Sequence, residues 1–185
     1  MSTGEVEDIK QSLKRAAAAL REAGIPFVVG GGLASWARGG PESGHDVDLI
    51  VKPDDAERAW QALGTEGMRL ERPPESWLLK AWDGDVLIDI IFEPVGLAVD
   101  DELLERAEEM EVLAQAMRIL SLEDLMVTKL ACLREHEVDY EPQLEIARSL
   151  REQIDWDDVR RRAPDTPYVR AFFTLAEGLE LVPPR

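Results

Sequence analysis

Val28–Val51 reads VVGGGLASWARGGPESGHDVDLIV. An apolar, strand-like run meets three consecutive glycines, Gly30, Gly31 and Gly32. A short helix-like segment and a polar turn follow, and Asp46-Val47-Asp48 opens a second apolar run. Side chains alternate along a strand, so Asp46 and Asp48 share one face, roughly 6.5–7 Å apart along the chain. Val47, Leu49 and Val51 face the other way, toward a core. Two neighbouring carboxylates repel one another unless a cation lies between them. The stretch therefore points to a divalent metal site.

Working outward, the apolar positions Val6, Ile9, Leu13, Ala16, Ala17 and Leu20 recur at helical spacing, and Gly24 with Pro26 ends that helix. Phe27–Val29 is a short buried strand, and Leu33–Ala37 suits a short helix stopped by Gly39-Gly40. After the strand at Val47–Val51, Pro53 starts a helix with Ala56, Trp60 and Leu63 on its apolar face. Trp77–Trp82 and Asp85–Phe92 are apolar runs joined by Asp83-Gly84, a strong hairpin signal. Alternation on the second run sets Asp89 on one face with Leu87 and Ile91. A carboxylate in such apolar surroundings implies a partner, the bland alternative being a strand-edge carboxylate facing water.

A helix is expected near Asp101–Met110 and a strand over Val112–Leu120. Ser121 and Asp124 then resemble a capping box, with Leu120 and Leu125 as its hydrophobic staple. The stripe of that helix is Leu122, Leu125, Met126, Leu130 and Leu133, interrupted by Lys129. Three more helices are expected: Pro142–Arg151, Asp155–Arg162 capped by Asp155, and Pro167–Leu179 capped by Thr166. The fold class is thus α/β (α+β), with residues 1–120 as a mixed α/β domain and 121–185 as a helical C-terminal extension packed on it.

The chain has 185 residues, 45% of them apolar, and no run approaches the ~20 apolar residues of a membrane span. Its acidic N-terminus lacks the pattern of a signal peptide. The single cysteine, Cys132, forms no internal disulfide and reads as a small packed residue. The cytoplasm is the expected location. With 38 acidic and 21 basic residues, the net charge of −17 argues against nucleic acid as a partner, although Arg160-Arg161-Arg162 could form a local basic patch. Small molecules, cationic substrates or proteins suit such a surface better. The aromatic pairs Trp77/Trp82 and Phe172/Phe173 read as core, and His45 and His136 as exposed turn residues.

The glycines admit two functional readings besides a tight turn. Gly30-x-Gly32-x-x-Ser35 nearly fits a dinucleotide fingerprint. That fingerprint wants its acid at the far end of the second strand, whereas Asp46 and Asp48 stand at its start. Metal-assisted phosphoryl transfer fits better. Mg²⁺ takes carboxylates, waters and phosphate oxygens, so Asp46, Asp48 and Asp89 would suffice, and one carboxylate can accept a hydroxyl proton.

The pair Gly31-Gly32, then thirteen residues, Asp46-Val47-Asp48 on an apolar strand, and Asp89 on a later one resembles the nucleotidyltransferase fold of the DNA polymerase β superfamily. It is most similar to small bacterial nucleotidyltransferase-like proteins, over Phe27 to Phe92 and the helix beginning at Ser121. The resemblance implies a mixed twisted sheet with flanking helices. It implies that Gly31 and Gly32 hold nucleotide phosphates, that Asp46 and Asp48 bind Mg²⁺, and that Asp89 completes the metal site and activates the acceptor. It gives Lys129 a role at the triphosphate, against the alternative of a snorkelling lysine. The implied reaction moves a nucleoside monophosphate from an NTP co-substrate to an acceptor hydroxyl, in a small molecule such as an aminoglycoside. Alternatives are a toxin–antitoxin-type enzyme acting on protein or tRNA, and a silent nucleotide- or partner-binding module. Where many relatives carry a basic residue and a threonine before the D-x-D, this chain has Glu42 and Gly44. An anion there would oppose incoming phosphates.

Overall fold

The computed structural model describes residues 3–41 and 46–184. In chain order the elements are α1 (Thr3–Glu22), β1 (Phe27–Val29), α2 (Gly31–Trp36), β2 (Asp46–Val51), α3 (Ala56–Thr65), β3 (Arg69–Glu71), β4 (Leu78–Asp83) and β5 (Val86–Ile91). There follow α4 (Asp101–Arg106), β6 (Glu108–Val112), β7 (Gln115–Ile119), α5 (Leu122–Ala131), α6 (Glu141–Leu150), α7 (Trp156–Arg162) and α8 (Pro167–Gly178).

The seven strands form one sheet in the order β3-β4-β5-β2-β1-β7-β6. It is mixed: β2 runs parallel to β5 and β1 parallel to β7, and the remaining pairs are antiparallel. The apolar stripe of α1 is fully buried at Leu13, Ala16, Ala17 and Leu20, and α1 packs with α3 against β2 and β5. Val47, Leu49 and Val51 are inaccessible to solvent, as alternation requires. On the opposite face of β2, α5 closes over Asp48 and Ile50 and packs against α2, α6 and α7.

Local chemistry explains the helix starts. Ser121, Asp155 and Thr166 each accept a backbone N–H from the first turn that follows, and Pro167 occupies the first turn of α8. The capping box at Ser121 is only half formed, because the Asp124 carboxylate goes elsewhere. It is inaccessible to solvent and takes Arg106 Nε and Nη2 from α4 at 3.3 Å, together with Arg162 Nη2 from α7.

Two expectations need correction. The segment from Asp101 to Leu120 is not one helix and one strand. α4 ends at Arg106, and β6 and β7 form a hairpin whose turn, Leu113-Ala114, has φ of 50° and 61°. Turns with two positive φ values usually announce themselves by Asn or Gly, and here neither is present. The β4–β5 turn is Gly84-Asp85, one residue later than Asp83-Gly84 suggests, because Gly84 takes φ +63° at the first central position. β6 is a sheet edge and exposes Glu108, Glu109 and Glu111. Among the described residues, no helix is long and apolar enough to cross a membrane.

Candidate active site

The central strands place the charged side chains. In the register of β4, β5 and β2, Lys80 stands opposite Asp89 and Asp89 opposite Asp48, so the three form a row across one face of the sheet. Asp46, two residues before Asp48, shares that face. Asp46, Asp48 and Asp89 each offer a carboxylate oxygen, and these oxygens all lie within 4.8 Å of one another. Lys80 Nζ donates to Asp89 Oδ1 at 3.1 Å.

The electrostatics record crowding. Burial, followed by repulsion from Asp46 and Asp89, pushes the Asp48 carboxyl up to about 7, although Lys129 and Lys80 pull the other way. Asp89 is also raised, chiefly by burial; the Lys80 hydrogen bond opposes that shift, and Asp46 and Glu75 add to it. Asp89, only 9% exposed, is not a carboxylate facing water. Three carboxylates gathered this closely are a donor set of hard oxygens, suited to Mg²⁺ or a similar cation.

The glycine turn fits against this cluster. Gly30 N–H donates to the Asp48 carbonyl at 2.9 Å, joining the end of β1 to β2. Gly31 follows at φ +54°, and a Cβ built there would lie 1.6 Å from Asp48 Oδ2. Only glycine permits that approach. Gly31 and Gly32 begin α2, where the first N–H groups of a helix have no partner within it.

Beside Asp48 and Gly31 opens a cleft of about 380 Å³ between the sheet and α5. Lys129 lines it. Arg134 adds a second cation, and Ile50, Ile91 and Leu125 form apolar walls. The structure corrects two expectations here. Trp77 is 36% exposed and lines the cleft instead of the core. Cys132 is exposed and lines it too, with burial of its surroundings raising its thiol pKa. Of the other aromatics, Phe172 is core as expected, while Trp82 and Phe173 are half-buried. His136 is exposed.

Arg160, Arg161 and Arg162 form no free basic patch. Arg160 meets Glu177, Arg161 meets Asp158, and Arg162 meets Asp124 and Asp158. Glu42, Gly44 and His45 lie outside the described residues.

Sequence reasoning missed Lys80, Trp77 and Arg134. Lys80 left a signal: it interrupts an apolar strand as Asp89 does, and the correct hairpin register sets the two opposite each other.

A mixed sheet with a D-x-D strand parallel to the strand of a third aspartate, and a glycine turn seated on the second acid, defines a nucleotidyltransferase fold. The chain belongs to the family described as nucleotidyl transferase of unknown function (DUF2204), whose sequence model matches residues 9–168. Among solved structures it is similar to the antibiotic-resistance factor ANT(2'')-Ia in solution, with 19% identity, 97% of each chain covered and a TM-score of 0.63. The crystal structure of ANT(2'')-Ia in complex with adenylyl-2''-tobramycin gives 19% identity over 90% of this chain and 97% of that one, with a TM-score of 0.62. The lincosamide antibiotic adenylyltransferase LnuA, bound to lincomycin, gives 11% identity over 81% and 95%, with a TM-score of 0.51. No curated protein matches the chain. The family makes this chain a nucleotidyltransferase.

Proposed function

We propose that the protein moves a nucleoside monophosphate from an NTP to a hydroxyl of a small-molecule acceptor, with Mg²⁺ assistance. The observation that carries this reading is the packing of Asp46, Asp48 and Asp89 within 4.8 Å, against a glycine turn. The acceptor oxygen bonds to the α-phosphorus, the bond from that phosphorus to its bridging oxygen breaks, and pyrophosphate leaves. Asp46, Asp48 and Asp89 would hold the ion, whose charge would offset that on the transferring phosphate. Asp89, whose carboxyl burial raises above its ordinary value, would also take the hydroxyl proton. Gly31 and Gly32 present backbone N–H groups to phosphate oxygens, and Lys129 faces them from across the cleft.

The cleft walls suit the base and ribose, with Trp77 as a flat apolar surface. The acceptor then approaches from the Asp89 side, where Asp46 and Glu75 add negative charge. That favours a cationic acceptor of the aminoglycoside kind, as does the net charge of −17. The tobramycin product held by ANT(2'')-Ia and the lincomycin held by LnuA support a small molecule. The same charge, with the arginine run consumed internally, disfavours nucleic acid.

The test incubates the protein with each labelled NTP, Mg²⁺ and a panel of aminoglycosides, lincosamides, proteins and tRNA. Label should pass to a small molecule and be lost in Asp46→Asn and Asp48→Asn variants that remain folded. Full transfer by either variant, or label only on a macromolecule, overturns the reading.

A further inference from the structure

The row Lys80–Asp89–Asp48 holds one cation that the reaction above leaves without a role. Lys80 and Asp89 are direct cross-strand partners, and their side chains are 22% and 12% exposed. The ion pair is therefore largely withdrawn from water, where salt screens it weakly. The ammonium also acts on Asp48, one strand further on. A divalent ion shared by the three carboxylates would sit close to that ammonium and be repelled by it. It would also have to share Asp89 with a donor already in place.

We infer that Lys80 is a resident counter-cation that competes with the divalent ion for Asp89, so that metal binds weakly until NTP arrives. The inference rests on the aspartate triad being the metal site proposed above. Its logic is one of charge. Without Lys80, three crowded carboxylates lack their nearest neutralising group and draw a divalent ion more strongly. With NTP bound, phosphate oxygens supply further ligands and negative charge, which offset the ammonium. Mg²⁺ suits such a shared site, since it takes a few carboxylates together with substrate phosphates. A purely orienting lysine has the opposite signature. Removing a group that merely aims a metal ligand typically weakens metal binding by about 10–100-fold.

The experiment is a Mn²⁺ titration read by the electron paramagnetic resonance of free Mn²⁺, at pH 8.5 without nucleotide, on wild type, Lys80→Met and Lys80→Arg. Thermal melts serve as the folding control, and Lys80→Gln is a second uncharged variant. The uncharged variants should bind Mn²⁺ on the order of tenfold more tightly than wild type. The Arg variant, which keeps both charge and donors, should bind like wild type. A non-hydrolysable NTP analogue should narrow the gap between wild type and Lys80→Met. Equal or weaker binding by folded uncharged variants overturns the inference, as does a gap that nucleotide leaves unchanged. If none of the proteins binds Mn²⁺, the metal reading of the triad fails, and the inference with it.

Discussion

Gly31 and Asp48 are set so closely that a methyl group on the first would occupy the carboxylate of the second, with 1.6 Å between Cβ and Oδ2. Two problems meet at this contact: a backbone at φ +54°, and an acid pressed against it. The pairing makes the glycine part of the acid's position.

Gly31→Ala should therefore displace Asp48, abolish metal binding and lower stability by about 1–3 kcal/mol, from left-handed strain alone. The displacement component is separable. In an Asp48→Ala background the same glycine change should cost less, because its clash partner has gone. Urea unfolding of the four proteins measures the coupling, and strict additivity would leave only the backbone strain.

Asp48 also predicts a pH dependence. Its folded carboxyl titrates at about 7, against an ordinary value of 3.8. Between these values the folded protein holds a proton that the unfolded chain has released, so stability falls as pH rises through this window. Asp48→Asn should match wild type at pH 4 and exceed it in Tm at pH 8 without metal. Mg²⁺ should close the gap by stabilising wild type alone. Scanning calorimetry at both pH values checks this, and parallel curves for the two proteins would contradict it.

Asp124 is the structural counterpart: a buried acid whose charge is used within the fold. Its arginine partners come from α4 and α7, so it joins three helices. Asp124→Ala removes the buried partner that the two partly exposed arginines share, while Arg162 keeps Asp158, and should destabilise the protein by about 1–3 kcal/mol. Urea melts measure it. Removing an exposed pair, such as Arg72 with Glu57, should leave the urea midpoint nearly unchanged, because water and salt already screen it.

Trp77 tests the cleft. Stacking of a base on an aromatic ring contributes about 1–3 kcal/mol. Trp77→Ala should raise the NTP KM by about tenfold, leave kcat within about twofold, and hardly move Tm, because the ring is already 36% exposed. Steady-state kinetics at saturating acceptor separates the two constants. An unchanged KM would remove Trp77 from the nucleotide's surroundings.

Much of this architecture was legible because its signals are local. Ser121, Asp155, Thr166 and Pro167 mark helix starts within a few residues of themselves, and D-x-D needs only the alternation of one strand. What escaped depends on relations between segments. The Leu113-Ala114 turn adopts its conformation without the residues that usually signal it, so a hairpin read as helix and strand. Placing the β4–β5 turn one residue early shifts the pairing by two and sets Lys80 against Leu87, hiding its partner Asp89. Trp77 and Cys132 have apolar composition but sit where α5 and the sheet part, which only the packing reveals.

The exposed glutamates of β6 have a consequence for self-association. A free strand edge is a template for another chain, and like charges along it are a common guard against such pairing. Glu108, Glu109 and Glu111 would face their own copies if two sheets tried to join at this margin. The opposite margin, β3, is only three residues long. Part of the chain's acidity is thus spent on keeping its sheet from growing.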